Sequence, residues 1–311
     1  MQFSQTKLSL KLSLVVFMST IKEAQNLIDA RSQRLLQQRE QIEQLHIKMS
    51  KIKHKIAVIS GKGGVGKSTI TVNLAAAFAK SGHAVGILDA DIHGPSVPRL
   101  LGLTGQQVQM GPPGAFPVPG PLGMKVISID FFLPEEVPTI WRGPLKMGAI
   151  RQFLQEIVWG DLDVLFIDLP PGTGDEPLTI AQFLPEMDGV IVVTMPSELS
   201  STIVKKAITF ALRLNMPIIG VVENMSGFVC PHCGTKTEIF QSGGGRKIAD
   251  ETGVAFLGSI PIDPKVGVAS DQGKPFIIAH EDSAAAKAFT EIVDQVESYL
   301  IKREQQKPAK S

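Results

Sequence analysis

The chain has 311 residues, which is enough for one large domain or two modest domains with a substantial buried core. Hydrophobic residues make up 43% and charged residues 20%, the composition of an ordinary globular protein rather than of a disordered or fibrous one. A net charge of +1 means that the protein as a whole does not attract nucleic acid or an anionic membrane electrostatically. Two cysteines are too few for a disulfide scaffold and indicate a reducing compartment.

Residues 1–52 are predicted to be an N-terminal extension that contains one helix. The apolar run Leu12–Met18 is short and no small-residue cleavage site follows it, which favours a start-site extension ahead of Met18 over a functional leader. Apolar residues recur every seven positions in a stretch without Gly or Pro: Ile21, Ile28, Leu35, Ile42 and Met49. Two interpretations of this narrow seam stay open, a helix that lies on its own domain and a helix that pairs with a partner.

Residues 53–311 are predicted to form a P-loop ATPase domain, because short runs rich in Val and Ile alternate with helical stretches. The predicted strands are Ile56–Ser60, Val85–Asp89, Val126–Ile129, Val164–Asp168, Val190–Thr194, Ile218–Val222 and Ala255–Ile260. The predicted helices include Lys67–Ser81, Pro144–Trp159, Ser200–Leu214, Gly244–Thr252 and Ser283–Lys302. This pattern predicts an α/β fold with a doubly wound, mostly parallel sheet of about seven strands. The Pro- and Gly-rich residues 111–123 are expected to be a long loop.

The strongest motif follows the first predicted strand and begins the first helix. Residues 61–68 read Gly-Lys-Gly-Gly-Val-Gly-Lys-Ser and fit the pattern of a phosphate-binding loop. Lys67 is expected to neutralise the β- and γ-phosphates of ATP, and Ser68 is expected to bind Mg²⁺. The nucleotide-binding stretch is therefore predicted to comprise Gly61, Lys62, Gly63, Gly64, Val65, Gly66, Lys67, Ser68 and Thr69.

The second lysine of the motif, Lys62, makes this sequence resemble the deviant P-loop class that includes MinD, ParA, ArsA and nitrogenase iron protein. In that class this lysine reaches the nucleotide of the partner subunit. The resemblance implies that Asp91 positions the attacking water, that Asp89 supports the Mg²⁺ shell and that Asn224 contacts adenine. Lys62, Lys67 and Asp91 are the predicted catalytic residues.

A third acidic residue completes the predicted site. Four apolar residues end in Asp168, which places a carboxylate at the tip of a strand, where it can hold Mg²⁺ through water. The loop from Asp168 to Glu176 is rich in Pro and Gly and is suited to sensing hydrolysis beside the γ-phosphate. These segments predict MgATP binding with slow phosphoryl transfer to water.

Both cysteines lie in one motif, Cys230-Pro231-His232-Cys233-Gly234. The motif favours a metal-binding knuckle over a redox pair or structural thiols, because no helix start follows it. A tetrahedral metal or a cubane cluster normally takes four protein ligands, and two chains that meet about a two-fold axis supply them from Cys230 and Cys233. His232 is interpreted as a bystander. Lys62 requires the same homodimer.

These motifs closely resemble the Mrp/ApbC (Nbp-type) family of iron–sulfur cluster carriers, over about Lys53 to Leu300. The marks of the resemblance are residues 61–68, 89–96, 141–144, 168–175, 224–226 and 230–233. The family implies a homodimer that binds a [4Fe–4S] cluster between its subunits and receives and delivers it through cluster donors and apo client proteins. It also implies a weak ATPase whose turnover accompanies cluster loading or transfer.

Two alternatives stay open. A positioning ATPase of the MinD/ParA type needs no metal knuckle, so the cysteine pair favours the carrier. The last predicted helix has an apolar face but no basic opposite face, which makes a membrane role weak. A zinc-stapled dimeric ATPase without cluster transfer uses the same thiolates, and the sequence does not separate zinc from iron–sulfur. No stretch approaches the roughly 20 apolar residues that span a bilayer, so a cytoplasmic protein without membrane or nucleic-acid partners is expected.

Overall fold

The structure is a computed structural model of the chain. It describes residues 25, 31–33, 36, 39–40, 43–92, 94–132, 148, 150, 154–172, 174–184, 187–230, 232–240 and 242–306. The chain divides into two compact units, residues 1–47 and residues 48–311. The described residues of the first unit are helical. Four of the five apolar seam residues, Ile21, Ile28, Leu35 and Ile42, lie outside the described residues.

The second unit is built around a nine-stranded sheet with the order β10-β9-β8-β1-β7-β2-β6-β5, and β11 pairs with β9. The strands of this sheet are β1 (Ile52–Ser60), β2 (Val85–Asp89), β5 (Val118–Pro119), β6 (Lys125–Ser128), β7 (Leu162–Asp168), β8 (Gly189–Thr194), β9 (Ile218–Val229), β10 (Lys236–Thr237) and β11 (Phe256–Ile262). Two further strands, β3 (Gln109–Gly111) and β4 (Gly114–Phe116), form a separate antiparallel hairpin. The sheet is parallel except at β5 and β10, which pair antiparallel with β6 and β9.

Helices cover the sheet. They are α1 (Lys67–Lys80), α2 (Val97–Leu100), α3 (Asp175–Phe183), α4 (Glu198–Arg213), α5 (Gly244–Thr252), α6 (Pro264–Asp271), α7 (Phe276–Ala279) and α8 (Ala284–Gln306). In α1 the apolar residues Ile70, Leu74 and Phe78 recur at helical spacing and are buried. The Phe78 ring meets Phe166 of β7 edge to face, with ring centroids 5.5 Å apart. None of the helices in the described ranges is long and apolar enough to cross a bilayer.

The predicted fold class is confirmed, and all seven predicted strands are present. The sheet has more strands than predicted because the short antiparallel strands β5 and β10 extend it. Their two-residue length gives no periodic pattern that a sequence would reveal. The predicted helix at 144–159 falls largely outside the described residues, and so does the motif at 141–144.

The prediction of one long loop over residues 111–123 is wrong. This stretch holds the end of β3, the strands β4 and β5, and a 3₁₀ turn at Pro121–Gly123. A Cβ atom at Gly114 would lie 2.1 Å from the backbone oxygen of Glu156, so the missing side chain lets two backbones approach. The Val158 N–H donates to the Ala115 carbonyl nearby at 2.9 Å. Glycine here therefore permits strand pairing instead of opening a loop.

Candidate functional site

The phosphate-binding loop joins the carboxyl end of β1 to the start of α1. Gly66 is in the left-handed region at φ 83°, and a Cβ atom there would lie 2.3 Å from Nδ2 of Asn224. A Cβ atom at Gly61 would come within 3.0 Å of the backbone of Ile203 and Val204 in α4. The loop is therefore held between α4 and β9, and glycine at position 66 is required by both backbone conformation and space.

Asp168, at the end of β7, is fully buried and is the centre of a hydrogen-bonded cluster. Its Oδ2 atom lies 2.7 Å from Lys67 Nζ and accepts a 2.6 Å hydrogen bond from Ser68 Oγ. Its Oδ1 atom accepts a 2.6 Å hydrogen bond from Thr71 Oγ1. Sequence reasoning missed Thr71, although it lies one helical turn after Lys67 and so shares its face of α1. The oxygen atoms of Ser68 and Asp168 are a donor set that suits Mg²⁺.

Asp89 lies beside Asp168, because β2 and β7 are neighbours and the two residues are in register. Burial and the nearby Asp168 carboxylate raise the pKa of Asp89 to about 8, although Lys67 lowers it. Its carboxyl oxygens accept hydrogen bonds from the N–H groups of Asp91 and Val97 and from Ser128 Oγ, at 3.2–3.3 Å. Two adjacent buried carboxyl groups favour a cation between them, because a cation compensates their negative charge where water cannot.

The other two predicted catalytic residues lie at the same edge of the sheet. Asp91 is half-buried, and its Oδ1 accepts a 3.2 Å hydrogen bond from the Gly94 N–H. Lys62 is half-buried, and its carbonyl accepts a 2.9 Å hydrogen bond from Ser60 Oγ. The Lys62 ammonium makes no hydrogen bond or ion pair with another described residue. This side chain is therefore available to a group from outside the described part of the chain.

Asn224 contacts the phosphate-binding loop directly, because its Nδ2 donates a 2.9 Å hydrogen bond to the Val65 carbonyl. The strand β9 extends to Val229, so Asn224 lies within the strand and not after it as predicted. A cavity of about 330 Å³ opens beside it. The cavity lining includes Gly66, Thr69, Asn224, Phe240, Pro261 and Asp263.

The sequence prediction did not include Phe240 or the segment from Ile260 to Asp263 in this cavity. The segment ends β11 and begins α6, where the Asp263 side chain accepts a 2.9 Å hydrogen bond from the Lys265 N–H. A Pro and an Asp directly after a buried strand, at the carboxyl edge of a parallel sheet, were the available signal. For Phe240 the sequence offers no such signal.

The cysteines lie in a tight turn that joins β9 to β10. The turn is closed by hydrogen bonds from the Cys230 N–H to the Thr235 carbonyl at 3.0 Å and from the Gly234 N–H to the Cys230 carbonyl at 2.9 Å. Gly234 has φ 73°, which the turn requires. We name residues 228–237 the cysteine hairpin. Cys230 is half-buried and Cys233 is exposed, so both sulfurs lie at the surface.

The Cys233 sulfur lies 3.2 Å from the Thr235 hydroxyl. This hydrogen bond, together with others from the Thr235 backbone and Cys230, lowers the pKa of the Cys233 thiol. Within the described ranges no group of three or more His, Cys, Asp and Glu side chains could hold a metal ion. The assignment of Cys230 and Cys233 as two ligands of a metal site shared with a second chain therefore stays a prediction.

The structure brings together the phosphate-binding loop, Asp89, Asp91, Asp168 and Asn224 at one edge of the sheet. The cysteine pair is separate from this group. Asn224 and Cys230 are six residues apart along β9, a separation of at most about 20 Å. His93, Thr173 and Pro231, which lie within the predicted motifs, are outside the described residues.

Comparison with known proteins shows the family of this chain. A family model described as ParA, NUBPL iron-transfer P-loop NTPase, matches residues 51–297. The iron-sulfur cluster carrier protein of Methanocaldococcus jannaschii is 56% identical over 80% of this chain and 85% of its own length. That of Saccharolobus solfataricus is 53% identical over 81% of this chain and 86% of its own length.

Solved structures also resemble this chain. The Archaeoglobus fulgidus nucleotide-binding protein in complex with ADP, in which cobalt was found, is 44% identical with a TM-score of 0.68. The match covers 76% of this chain and 92% of that one. Aquifex aeolicus MinD shares the fold at 22% identity and a TM-score of 0.56, with 79% of this chain and 97% of that chain covered. The chain belongs to the NUBPL iron-transfer family of ParA-type P-loop NTPases.

Proposed function

We propose that this protein is an ATP-dependent carrier that binds an iron–sulfur cluster and delivers it to apoproteins. The observation that carries the proposal is the placement of the cysteine pair. Cys230 and Cys233 lie in the turn that directly follows β9, the strand whose Asn224 contacts the phosphate-binding loop. Relatives with about 50% identity are named iron-sulfur cluster carrier proteins, which supports iron–sulfur cargo, and the ADP bound to the Archaeoglobus relative supports a nucleotide in this site.

In the nucleotide site we assign each group a role. The backbone N–H groups of Gly61–Thr69 and the Lys67 ammonium bind the phosphates, and Ser68, Asp89 and Asp168 hold Mg²⁺ directly or through water. Asp91 orients the attacking water. The cavity beside Asn224 receives the base. Residues 53–311 carry this ATPase domain, and residues 1–52 form the extension.

The Lys67–Asp168 ion pair is the interaction that a nucleotide with its Mg²⁺ would replace on binding. Both groups are buried, so each is stabilised mainly by the other. A bound nucleotide provides phosphate oxygens for Lys67, and its Mg²⁺ provides a cation for Asp168, so both charges stay compensated when the pair opens. Hydrolysis is expected to be slow in a single chain, because Lys62 acts on the nucleotide of a partner subunit.

The cluster is cargo, and its binding requires two chains. One hairpin supplies two thiolates, and a [4Fe–4S] cluster normally takes four. A second copy related by a two-fold axis supplies the missing pair, and the same dimer gives the Lys62 ammonium a nucleotide across the interface. Exposed thiols suit a cluster that must leave for an apoprotein, because a buried site would hold it. Cluster donors and apo iron–sulfur proteins are the expected partners.

The alternatives are weaker. The MinD- and ParA-type neighbours are about 20% identical to this chain, so their likeness concerns the fold. A positioning ATPase also has no use for the cysteine hairpin. A zinc-stapled dimer uses the same thiolates, and metal content distinguishes it from a carrier.

Anaerobic reconstitution with iron and sulfide tests the proposal. We expect a brown protein with broad absorption near ~400 nm and about two irons per chain. The Cys230→Ser and Cys233→Ser variants should stay colourless but still bind ADP, whereas Lys67→Ala should load a cluster and fail to release it to an apo [4Fe–4S] enzyme when ATP is added. A colourless wild-type protein that binds zinc alone would overturn the carrier assignment.

A further inference from the structure

We infer that Phe240 contacts the base of the bound nucleotide and transmits occupancy of the nucleotide site to the cysteine hairpin. The inference rests on the proposed nucleotide site and adds a sensor residue to it. Phe240 is absent from every motif of the sequence, yet it is the residue through which the cysteine-bearing segment reaches the base cavity.

The first observation is the position of Phe240 at the cavity beside the phosphate-binding loop. It lines this cavity together with Thr69 and Asn224, and 46% of it is exposed. The other aromatic residue in the lining, Phe289, belongs to the core and is 1% exposed. A half-exposed phenyl ring at the mouth of a largely apolar cavity provides a flat face on which a purine can stack.

The second observation is the short connection from Phe240 to the cysteines. Phe240 lies in a turn that is closed by a hydrogen bond from Ser242 Oγ to the Glu238 carboxylate. Glu238 directly follows β10, and β10 pairs with Phe228 and Val229, the residues before Cys230. Phe240 therefore lies three residues after β10, the strand that completes the cysteine hairpin.

The third observation is that both ends of this segment are fixed by one side chain. The fully buried Glu223 carboxylate accepts a 2.6 Å hydrogen bond from Ser226 Oγ, before the hairpin. It also accepts hydrogen bonds from the N–H groups of Gly243 and Gly245 after the hairpin, at 3.1 and 2.6 Å. Because Glu223 bonds to residues on both sides of the hairpin, the segment that carries Phe240 and the cysteines is anchored at both ends to one buried side chain.

The backbone at the start of the segment departs from regular strand geometry. Met225 and Gly227 have φ values of 60° and 74°, two left-handed positions within one strand. Such positions break the regular ladder of β9 between Asn224 and the hairpin. The hairpin is thus a separate unit, hinged at residues 225–227 and connected to the base cavity through Phe240.

Hydrogen–deuterium exchange of the metal-free protein tests this inference, because the hairpin is closed by backbone amides that exchange reports directly. In the wild type, saturating ADP should slow exchange in residues 228–237 by about fivefold, the scale expected from one stacked base. Pyrophosphate, which fills the phosphate site but has no base, should leave hairpin exchange unchanged. Calorimetry on the same samples establishes that each ligand is bound.

The Phe240→Ala variant should bind ADP more weakly and, at saturation, lose the slowing in the hairpin. Phe240→Tyr keeps the ring and should restore the slowing. Ile239→Ala is the matched control, because Ile239 is similarly exposed beside Phe240 but is absent from the cavity lining. An equal response to pyrophosphate, or a full response in Phe240→Ala, would overturn the inference while leaving the carrier function intact. Failure of the wild type to bind ADP would overturn the nucleotide site itself.

Discussion

Lys67 Nζ lies 2.7 Å from Oδ2 of Asp168, with both side chains buried at the junction of α1 and β7. The lysine of the phosphate-binding loop and the carboxylate at the end of β7 therefore neutralise each other in the free protein. If Lys67 binds phosphate as proposed, the nucleotide would compete with Asp168 for the ammonium group, and the measured affinity would be the difference between these two interactions.

Substitutions of the two lysines of the loop are expected to affect different steps: nucleotide binding for Lys67 and ATP hydrolysis for Lys62. Lys67→Ala removes a charge-assisted contact to phosphate, and ATP affinity measured by calorimetry should fall about 10- to 100-fold. Lys62→Ala should keep ADP affinity within about threefold, since mutational effects of surface groups are small, but should lower ATP hydrolysis. Equal losses of affinity in the two variants would contradict these roles.

Two glycines of the loop form a matched pair for a test of its geometry. Gly64 and Gly66 both have positive φ, but a Cβ atom at Gly64 meets nothing within 4 Å, whereas at Gly66 it meets Asn224 at 2.3 Å. Gly64→Ala should cost about 1 kcal/mol of unfolding free energy from backbone strain alone. Gly66→Ala should lower the free energy of unfolding by more than Gly64→Ala does, as measured by thermal unfolding, and it should abolish ADP binding. Equal melting temperatures for the two variants would show that the Asn224 contact does not constrain the loop.

Asp89 predicts a pH dependence of stability in the free, Mg²⁺-free protein. Its folded pKa, raised to about 8 by burial, exceeds that of an unfolded aspartate, so the folded chain holds a proton that the unfolded chain has released between about pH 4 and 8. The free energy of unfolding therefore decreases as the pH rises through this window, because loss of the Asp89 proton stabilises the unfolded chain while the buried Asp89 of the folded protein keeps it. Asp89→Asn removes this decrease and should raise stability at pH 8 by on the order of 1 kcal/mol or more.

Thermal unfolding at constant ionic strength measures this effect. Between pH 5 and pH 8 the melting temperature of Asp89→Asn should fall less than that of the wild type. Asp271→Asn is a suitable control, because its carboxylate is in an exposed ion pair with Arg99 at 2.9 Å and its loss should shift the melting temperature little. The same pH slope in Asp89→Asn and wild type would contradict a protonated Asp89.

Much of this architecture could be predicted from sequence, because strand-forming runs and phosphate-loop spacing are local patterns. Asp89 and Asp168 each end a run of apolar residues, and parallel strands bring such ends to one edge. The expectation that a metal site needs a second chain comes from counting thiols, and it stays a prediction. These features require no knowledge of which side chains touch.

The contacts that connect the sites could not be predicted in this way. Glu223 and Phe240 carry no motif, and their roles arise from long-range packing: one carboxylate binds residues on both sides of the hairpin, and one ring lies at a cavity formed by distant segments. The strand β9 was predicted to end at Val222, since Glu223 and Asn224 are polar. The structure continues it to Val229 because Glu223 and Asn224 are satisfied by buried hydrogen bonds.

Native mass spectrometry of the anaerobically reconstituted protein tests the central claim most directly, because it weighs the loaded species intact. We expect a mass equal to two chains with one four-iron cluster, and loss of that species in the Cys230→Ser and Cys233→Ser variants. A single chain that carries the whole cluster, or a dimer that persists unchanged in both cysteine variants and holds no iron, would contradict a cluster shared between two hairpins.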